Sequence, residues 1–254
     1  SWNQIGQDID GEAAGDLSGW SVSLSSDGNT VAIGAPGIFG AFGTGIPGYV
    51  RIYAYNGSSW NQLGNDIDGE ADLDFNGHSV SLSSDGGTVA IGAYVNTSGA
   101  GHVRIYAYNG SSWNQLGNDI DGEAAPDNSG WAVSLSSDGS TVAIGAYRND
   151  GNGTDAGHVR IYIYNGSSWS QLGNDLDGEA AEDWSGNSVS LSSDGNTVAI
   201  GAPRNDGNAS SSGHVRVFSV ADGIQYTSPP CSGCTDSLAL NYDPYSLIDD
   251  GTCD

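Results

Sequence analysis

Gly19-Trp20-Ser21-Val22-Ser23-Leu24-Ser25-Ser26-Asp27-Gly28-Asn29-Thr30-Val31-Ala32-Ile33-Gly34-Ala35-Pro36 is the stretch from which the fold can be read. Val22 and Leu24 alternate with serines, the period-2 pattern of a strand with one buried face. Asp27-Gly28 follows, a strong short hairpin signal. Thr30 to Ala35 then reads as a second strand. The same arrangement recurs with Val80 and Leu82, Val133 and Leu135, and Val189 and Leu191, each pair followed by Asp-Gly at 85–86, 138–139 and 194–195. The returning strands start at Thr88, Thr141 and Thr197.

Outward from this hairpin, each unit adds two further segments. A loop of variable length, Gly37 to Pro47 in the first unit and Arg204 to Ser212 in the fourth, leads to a third strand carrying Arg51, Arg104, Arg160 and Arg216 in equivalent places. Asn-Gly turns at 56–57, 109–110 and 165–166 lead into a fourth strand, the phrase Trp-Asn-Gln-Leu-Gly-Asn-Asp-Ile-Asp-Gly-Glu or a close variant. The phrase begins at Trp2, Trp60, Trp113 and Trp169, at spacings of 58, 53 and 56 residues. Periods of that size point to propeller blades or solenoid units. Four antiparallel strands per unit and no helical period give an all-β chain, a four-repeat β-propeller-like domain with a stacked solenoid as the alternative.

The repeats are cut out of step with the chain. The phrase at residues 1–10 has no third strand before it, and the third strand at 213–220 has no phrase after it. This predicts that residues 1–10 complete the last blade, either within one chain or in a neighbouring molecule. The expected organisation is a propeller-like domain over 1–226, a Pro-containing linker at 227–230 and a cysteine-containing module over 231–254.

Composition narrows the function. Thirty-one acids stand against six basic residues, all arginine, for a net charge of −25. Nucleic acid and anionic membranes require a basic surface, so neither is expected as a partner. No apolar run is long enough for a membrane span. The chain begins at Ser1 and shows no signal peptide, the appearance of a processed mature chain. Sequons at Asn56, Asn96, Asn109, Asn152, Asn165 and Asn208 all fall in expected turns or loops, where a glycan could be accommodated. With the cysteines, they suggest an extracellular or surface location.

The stretch from Gly19 to Pro36 resembles the FG-GAP repeat, and the Trp phrase ahead of it resembles a bacterial and algal variant of that repeat. Gly34-Ala35-Pro36 and Gly201-Ala202-Pro203 keep the Gly-Ala-Pro element, whereas Tyr94 and Tyr147 stand in for the proline in the middle units. The resemblance covers about residues 1 to 220. It implies a secreted or surface-displayed propeller used for adhesion, and no enzymatic activity. Integrin-type blades hold calcium in an Asp-x-Asp-x-Asp-Gly hairpin, but here the hairpins are Ser-Ser-Asp-Gly, with too few carboxylates for a hard cation.

The denser acid clusters lie in the phrases. Asp8 and Asp10 are followed by Asp16, Asp66 and Asp68 by Asp74, Asp119 and Asp121 by Asp127, and Asp175 and Asp177 by Asp183. Two carboxylates, a Gly turn and a further acid could form a calcium site, and calcium is the one cofactor the sequence suggests. A solvated acidic turn is the alternative. His102, His158 and His214 share one slot at the start of the third strand, where the first unit has Tyr49. With no nearby acid recurring as an orienter, they read as structural. Trp20 and Trp131 share a slot with His78 and Asn187, and read as packing unless exposed, when they could stack on sugars. No nucleophile elbow or other catalytic constellation occurs.

Near the C-terminus, Cys234-Thr235-Asp236, Asn241-Tyr242 and Asp249-Asp250-Gly251-Thr252-Cys253 resemble a small module found in secreted microbial proteins. It is too short for its own core and needs a staple. Cys234–Cys253 is the expected disulfide, stabilising by about 3 kcal/mol in the chain-entropy model. Cys231 is left for a second or intermolecular bridge. The sequence therefore points to a secreted, non-enzymatic structural or adhesion protein that assembles with itself into a fibril or surface layer. The alternative is a monomeric closed propeller that binds glycans or proteins at a cell surface.

Overall fold

The computed structural model describes residues 1–37, 47–96, 98–220, 232–233 and 248–249. The chain divides into two compact parts, Ser1–Val220 and Ala221–Asp254. In the second part, Ser232–Gly233 and Ile248–Asp249 pair in parallel. Cys231, Cys234 and Cys253, and with them the expected disulfide, lie outside the described residues.

The first part holds four antiparallel sheets, one per sequence unit, and no helix among the described residues. Blade 1 consists of β1 (Ser21–Leu24), β2 (Thr30–Ala35), β3 (Tyr49–Tyr55), β4 (Trp60–Gln62) and β5 (Ile67–Asp68). Blade 2 repeats this as β6 (Ser79–Leu82), β7 (Thr88–Ala93), β8 (His102–Tyr108), β9 (Trp113–Gln115) and β10 (Ile120–Asp121). Blade 3 runs through β11 (Ala132–Leu135), β12 (Thr141–Ala146), β13 (His158–Tyr164), β14 (Trp169–Gln171) and β15 (Leu176–Asp177). Blade 4 has β16 (Ser188–Leu191), β17 (Thr197–Ala202) and β18 (His214–Ser219), and no further strand among the described residues joins it. This is a propeller-like, all-β fold.

The phrase forms two short strands where the sequence suggested one. Trp60–Gln62 pairs with the far end of β3, and Ile67–Asp68 pairs with its start. Gly64 between them has φ +70°, a left-handed conformation that lets the chain step and rejoin the same neighbour.

Alternation within the strands places the apolar side chains between blades. Ala32, Val50, Ile52 and Ile67 of blade 1 pack with Leu82, Val89 and Ile91 of blade 2. Val103, Ile105 and Ile120 meet Leu135, Val142 and Ile144 at the next seam. Val159 and Ile161 meet Leu191, Val198 and Ile200 at the third. The glycine in each second strand permits the close approach: a Cβ on Gly34, Gly92 or Gly145 would lie 2.0–2.1 Å from the carbonyl oxygen of Gly77, Gly130 or Gly186 in the following blade. Serines on the other strand face also stitch the seams. The Oγ atoms of Ser23, Ser81 and Ser134 accept the backbone N–H of Leu82, Leu135 and Leu191, each at 2.9 Å.

Residues 1–10 do not join β18 within this chain. They form no strand and lie beside the outer edge of blade 1, where the Trp60 indole N–H donates to Ile5 O at 3.0 Å and Gln7 Nε2 donates to Trp60 O at 3.0 Å. Trp113 and Trp169 donate in the same way to Leu63 O and Leu116 O of the preceding phrase, both at 2.8 Å. The first ten residues thus stand where the outer phrase of a preceding blade would stand.

Candidate functional site

In blades 2 and 3 the residue that opens the third strand stands beside two acids, one from the segment entering the blade and one from the blade's own outer phrase. In blade 1 this residue is Tyr49, and the acids are Glu12, from the segment entering the blade, and Asp66, from the blade's own outer phrase. Arg51, two residues along β3, fills the slot. Its Nε and Nη2 donate to the two Asp66 oxygens at 2.9 and 2.8 Å, a bidentate pair, and Nη2 also contacts Glu12 Oε1. The Arg51 hydrogen bonds hold the Asp66 carboxyl below the ordinary aspartate value. Tyr49 donates to Asp16 Oδ2 at 2.9 Å. Burial, reinforced by that carboxylate, pushes its phenol up to about 12.

Blades 2 and 3 replace the tyrosine with His102 and His158, which are 2% and 1% exposed. The arginine then points elsewhere. Arg104 donates to Asp68 O at 2.8 Å and to Asn76 Oδ1 at 3.1 Å, leaving its Nη1 3.8 Å from Glu70. Arg160 donates to Asp121 O at 2.7 Å and stands 3.7 Å from Glu123. Glu70, His102 and Asp119 bring one ligand atom each within 4.8 Å of one another, and Glu123, His158 and Asp175 repeat the arrangement. His158 Nδ1 is 3.6 Å from Asp175 Oδ2, beyond hydrogen-bonding range. His158 Nδ1 and His102 Nε2 are buried without hydrogen-bond partners. Burial, and next the adjacent arginine, hold both imidazoles below the ordinary histidine value. In blade 4, His214 Nδ1 lies 3.5 Å from Glu179 Oε2, and no outer phrase supplies the second acid among the described residues.

The sequence reading of these histidines is therefore corrected. Acids do recur beside them: Asp119 and Asp175 are brought there by pairing of the outer phrase with the third strand of the same blade, and Glu70 and Glu123 come from the segment entering that blade. Of the residues suggested for calcium, Asp119 and Asp175 belong to these two groups. Asp16, Asp74, Asp127 and Asp183 are buried and accept the backbone N–H of Ala13, Ala71, Ala124 and Ala180 at 2.8–3.0 Å, closing a turn in each unit. Asp8, Asp10, Asp68, Asp121 and Asp177 are exposed. Asp66, Asp119 and Asp175 each accept a glutamine Nε2, from Gln62, Gln115 and Gln171, at 2.6–2.7 Å.

Among the sequon asparagines, Asn56, Asn109 and Asn165 are exposed at turns, with Oδ1 accepting the N–H of the serine two residues on. Asn208 is exposed, Asn96 is half-buried, and the amide of Asn152 donates to Gly178 O. Trp20 is 57% exposed and forms one wall of a cavity of about 460 Å³ with His78, Phe75, Tyr94 and Trp131. The packing reading fits Trp131, whose ring lies 4.4 Å from His78 and 4.7 Å from Tyr147, better than it fits Trp20.

The sequence model of the FG-GAP repeat matches residues 120–164 and 176–218, from the last strand of blade 2 through β18 with β14 left out. No curated protein matches the chain. Among solved structures, a proposed 6-phosphogluconolactonase from Bacteroides uniformis is similar with a TM-score of 0.53 at 10% identity, over 78% of this chain and 49% of that one. The hydrazine synthase of Kuenenia stuttgartiensis is similar with a TM-score of 0.51 at 12% identity, over 88% of this chain and 51% of that one. At such identities the likeness shows the fold alone. The chain spans about half the length of these structures. FG-GAP repeats and a propeller-like fold together define a ligand-binding or adhesion type of domain.

Proposed function

We propose that this chain is a non-enzymatic structural or adhesion protein of the cell exterior, and that a second copy continues its row of blades head to tail. The observation that carries the reading is the state of the two end faces. Val215 and Val217 of β18 are 67% and 65% exposed, whereas their counterparts Val50, Ile52, Val103, Ile105, Val159 and Ile161 are at most 4% exposed. Leu24 of β1 is 60% exposed, whereas Leu82, Leu135 and Leu191 are at most 9% exposed. These two faces are the two halves of a seam already made three times, so the occupant with the right shape is another copy of the same repeat.

Gly201 supports this independently. Its counterparts each receive a carbonyl from the next blade, yet the three atoms nearest to a Cβ on Gly201 all belong to Ser188 of its own blade. Docking a second copy would bring the Gly19 carbonyl to that place and lay residues 1–10 along β18 as the missing phrase, a form of β-augmentation. A heterologous contact of this kind extends without closing, or closes into a ring, as the rotation per copy dictates. Occurrence of FG-GAP repeats in extracellular and surface proteins, together with the exposed sequon turns, supports the location and glycosylation.

Sedimentation velocity across a concentration series in 0.15 M salt, where the −25 charge is screened, tests the reading. Self-association should appear, Val217→Asp should abolish it, and Trp2, fully exposed here, should shift its fluorescence to the blue on association. A full-length chain that stays monomeric at the highest concentrations while folded rules the reading out. A second reading, a propeller domain that binds glycans, is favoured by the exposed Trp20 beside the aromatic cavity. A glycan array probed with wild type and Trp20→Ala separates the two.

A further inference from the structure

The slots of blades 2 and 3 have a chemical character that neither packing nor assembly explains. Each presents one imidazole nitrogen and two carboxylates from three separate segments, all within 4.8 Å. A buried polar atom without a partner keeps its desolvation cost uncompensated, and such atoms in a folded chain call for an explanation. His102 Nε2 and His158 Nδ1 are such atoms, in side chains more than nine-tenths buried. In blade 3 the geometry is explicit: Nδ1 faces Asp175 Oδ2, while Gln171 holds the other oxygen of that carboxylate at 2.6 Å. A hydrogen bond of that kind fixes a carboxylate's orientation, as outer partners do at metal centres.

Blade 1 supplies the internal contrast. There a cation already sits between the two acids, because the guanidinium of Arg51 bonds to both Asp66 and Glu12. Where histidine replaces tyrosine, the arginine donates instead to the backbone carbonyls of Asp68 and Asp121, and its Nη1 stays 3.7–3.8 Å from the glutamate, beyond hydrogen-bonding range. We propose that Glu70, His102 and Asp119, and likewise Glu123, His158 and Asp175, each bind one divalent transition-metal cation in the place that Arg51 takes in blade 1.

The donor set selects the class of ion. Calcium and magnesium take oxygen ligands, whereas one imidazole with two carboxylates suits zinc and its first-row neighbours. Three protein ligands and one water complete a four-coordinate zinc shell with bonds of about 2.0–2.3 Å. Closing from the present separations requires movement mainly of Glu70 and Glu123, whose side chains are 54% and 47% exposed. Each bound ion would tie together the segment entering a blade, its third strand and its outer phrase.

Calorimetric titration of the full chain with Zn²⁺, together with visible absorption on adding Co²⁺, tests the proposal. Two equivalents of Zn²⁺ are expected per chain. His102→Ala should remove one, the pair His102→Ala and His158→Ala both, and excess Ca²⁺ should displace neither. Running the same titration on Val217→Asp keeps the result separate from assembly. If the double histidine variant still binds two equivalents, the −25 surface is the binder and the proposal falls; it falls equally if the wild-type chain binds none or if Ca²⁺ competes. Should the histidine variants fail to fold, Asp119→Asn with Asp175→Asn must show the same twofold loss, since both carboxylates are partly exposed.

Discussion

Blade 1 and the two blades after it hold the same glutamate, arginine and aspartate at equivalent positions, yet they settle their charges differently. In blade 1, Arg51 takes up both acids, and Tyr49 bonds to Asp16. In blades 2 and 3 the arginines turn to backbone carbonyls, and a buried histidine faces the acids. The ring at the head of the third strand differs along with the arrangement, tyrosine in blade 1 and histidine in blades 2 and 3. The difference shows how near-identical repeats can carry different chemistry without altering the sheet.

Removing the clamp should break the contrast most strongly. Arg51→Ala leaves Asp66 without its bidentate partner and should cost about 1–3 kcal/mol, at the low end because Glu12 is largely exposed. Chemical denaturation of this variant measures the loss. Tyr49→Phe should be milder, about 1 kcal/mol, since it deletes one hydrogen bond to Asp16. The same denaturation curve, compared with that of Arg51→Ala, ranks the two contacts.

Acid should affect the two kinds of slot in different windows. His102 and His158 have folded-state values below the ordinary 6.5, so their contribution is present above that value and is lost as pH falls through it. Asp66 is likewise depressed, from 3.8, and its contribution disappears only on further acidification. Stability measured in chelator should therefore begin to fall below about pH 6.5, and the double change His102→Tyr with His158→Tyr should flatten that first decline. The smallest effect belongs to the hairpins, which are alike in every blade. The Ser25 hydroxyl, with the N–H and amide of Asn29, holds Asp27 down to about 2. Ser25→Ala should move its carbon-13 titration midpoint back toward the ordinary aspartate value.

Much of the fold was legible because it rests on local rules. Asp-Gly and Asn-Gly turns bound strands with a clear two-residue alternation, and all four hairpins form in the expected register. The split of each phrase into two strands was less legible, since it depends on Gly64 and its counterparts adopting φ near +70°. The slot was hidden for a different reason. Glu70, His102 and Asp119 are far apart in the chain: strand pairing within blade 2 brings His102 to Asp119, and Glu70 arrives on the segment that enters the blade. The likeness of residues 1–10 to a phrase was visible, but their place beside Trp60 depends on an indole hydrogen bond that no pattern announces.

The serine stitching at the seams carries an implication for symmetry. At each seam the earlier blade offers a hydroxyl oxygen to the later blade's amide, as Ser23 does to Leu82, while Ser26 N–H points back to Ser84 O at 2.9 Å. The outward side of blade 1 therefore carries the Leu24 amide and the Ser26 carbonyl, and that of blade 4 carries the Ser190 hydroxyl and the Ser193 amide. A repeat-like step from one copy to the next would bring the Ser190 hydroxyl to the Leu24 amide and the Ser193 amide to the Ser26 carbonyl, as the equivalent groups meet at the seams within the chain. Copies joined by that step would all run in one direction, as an arrow does.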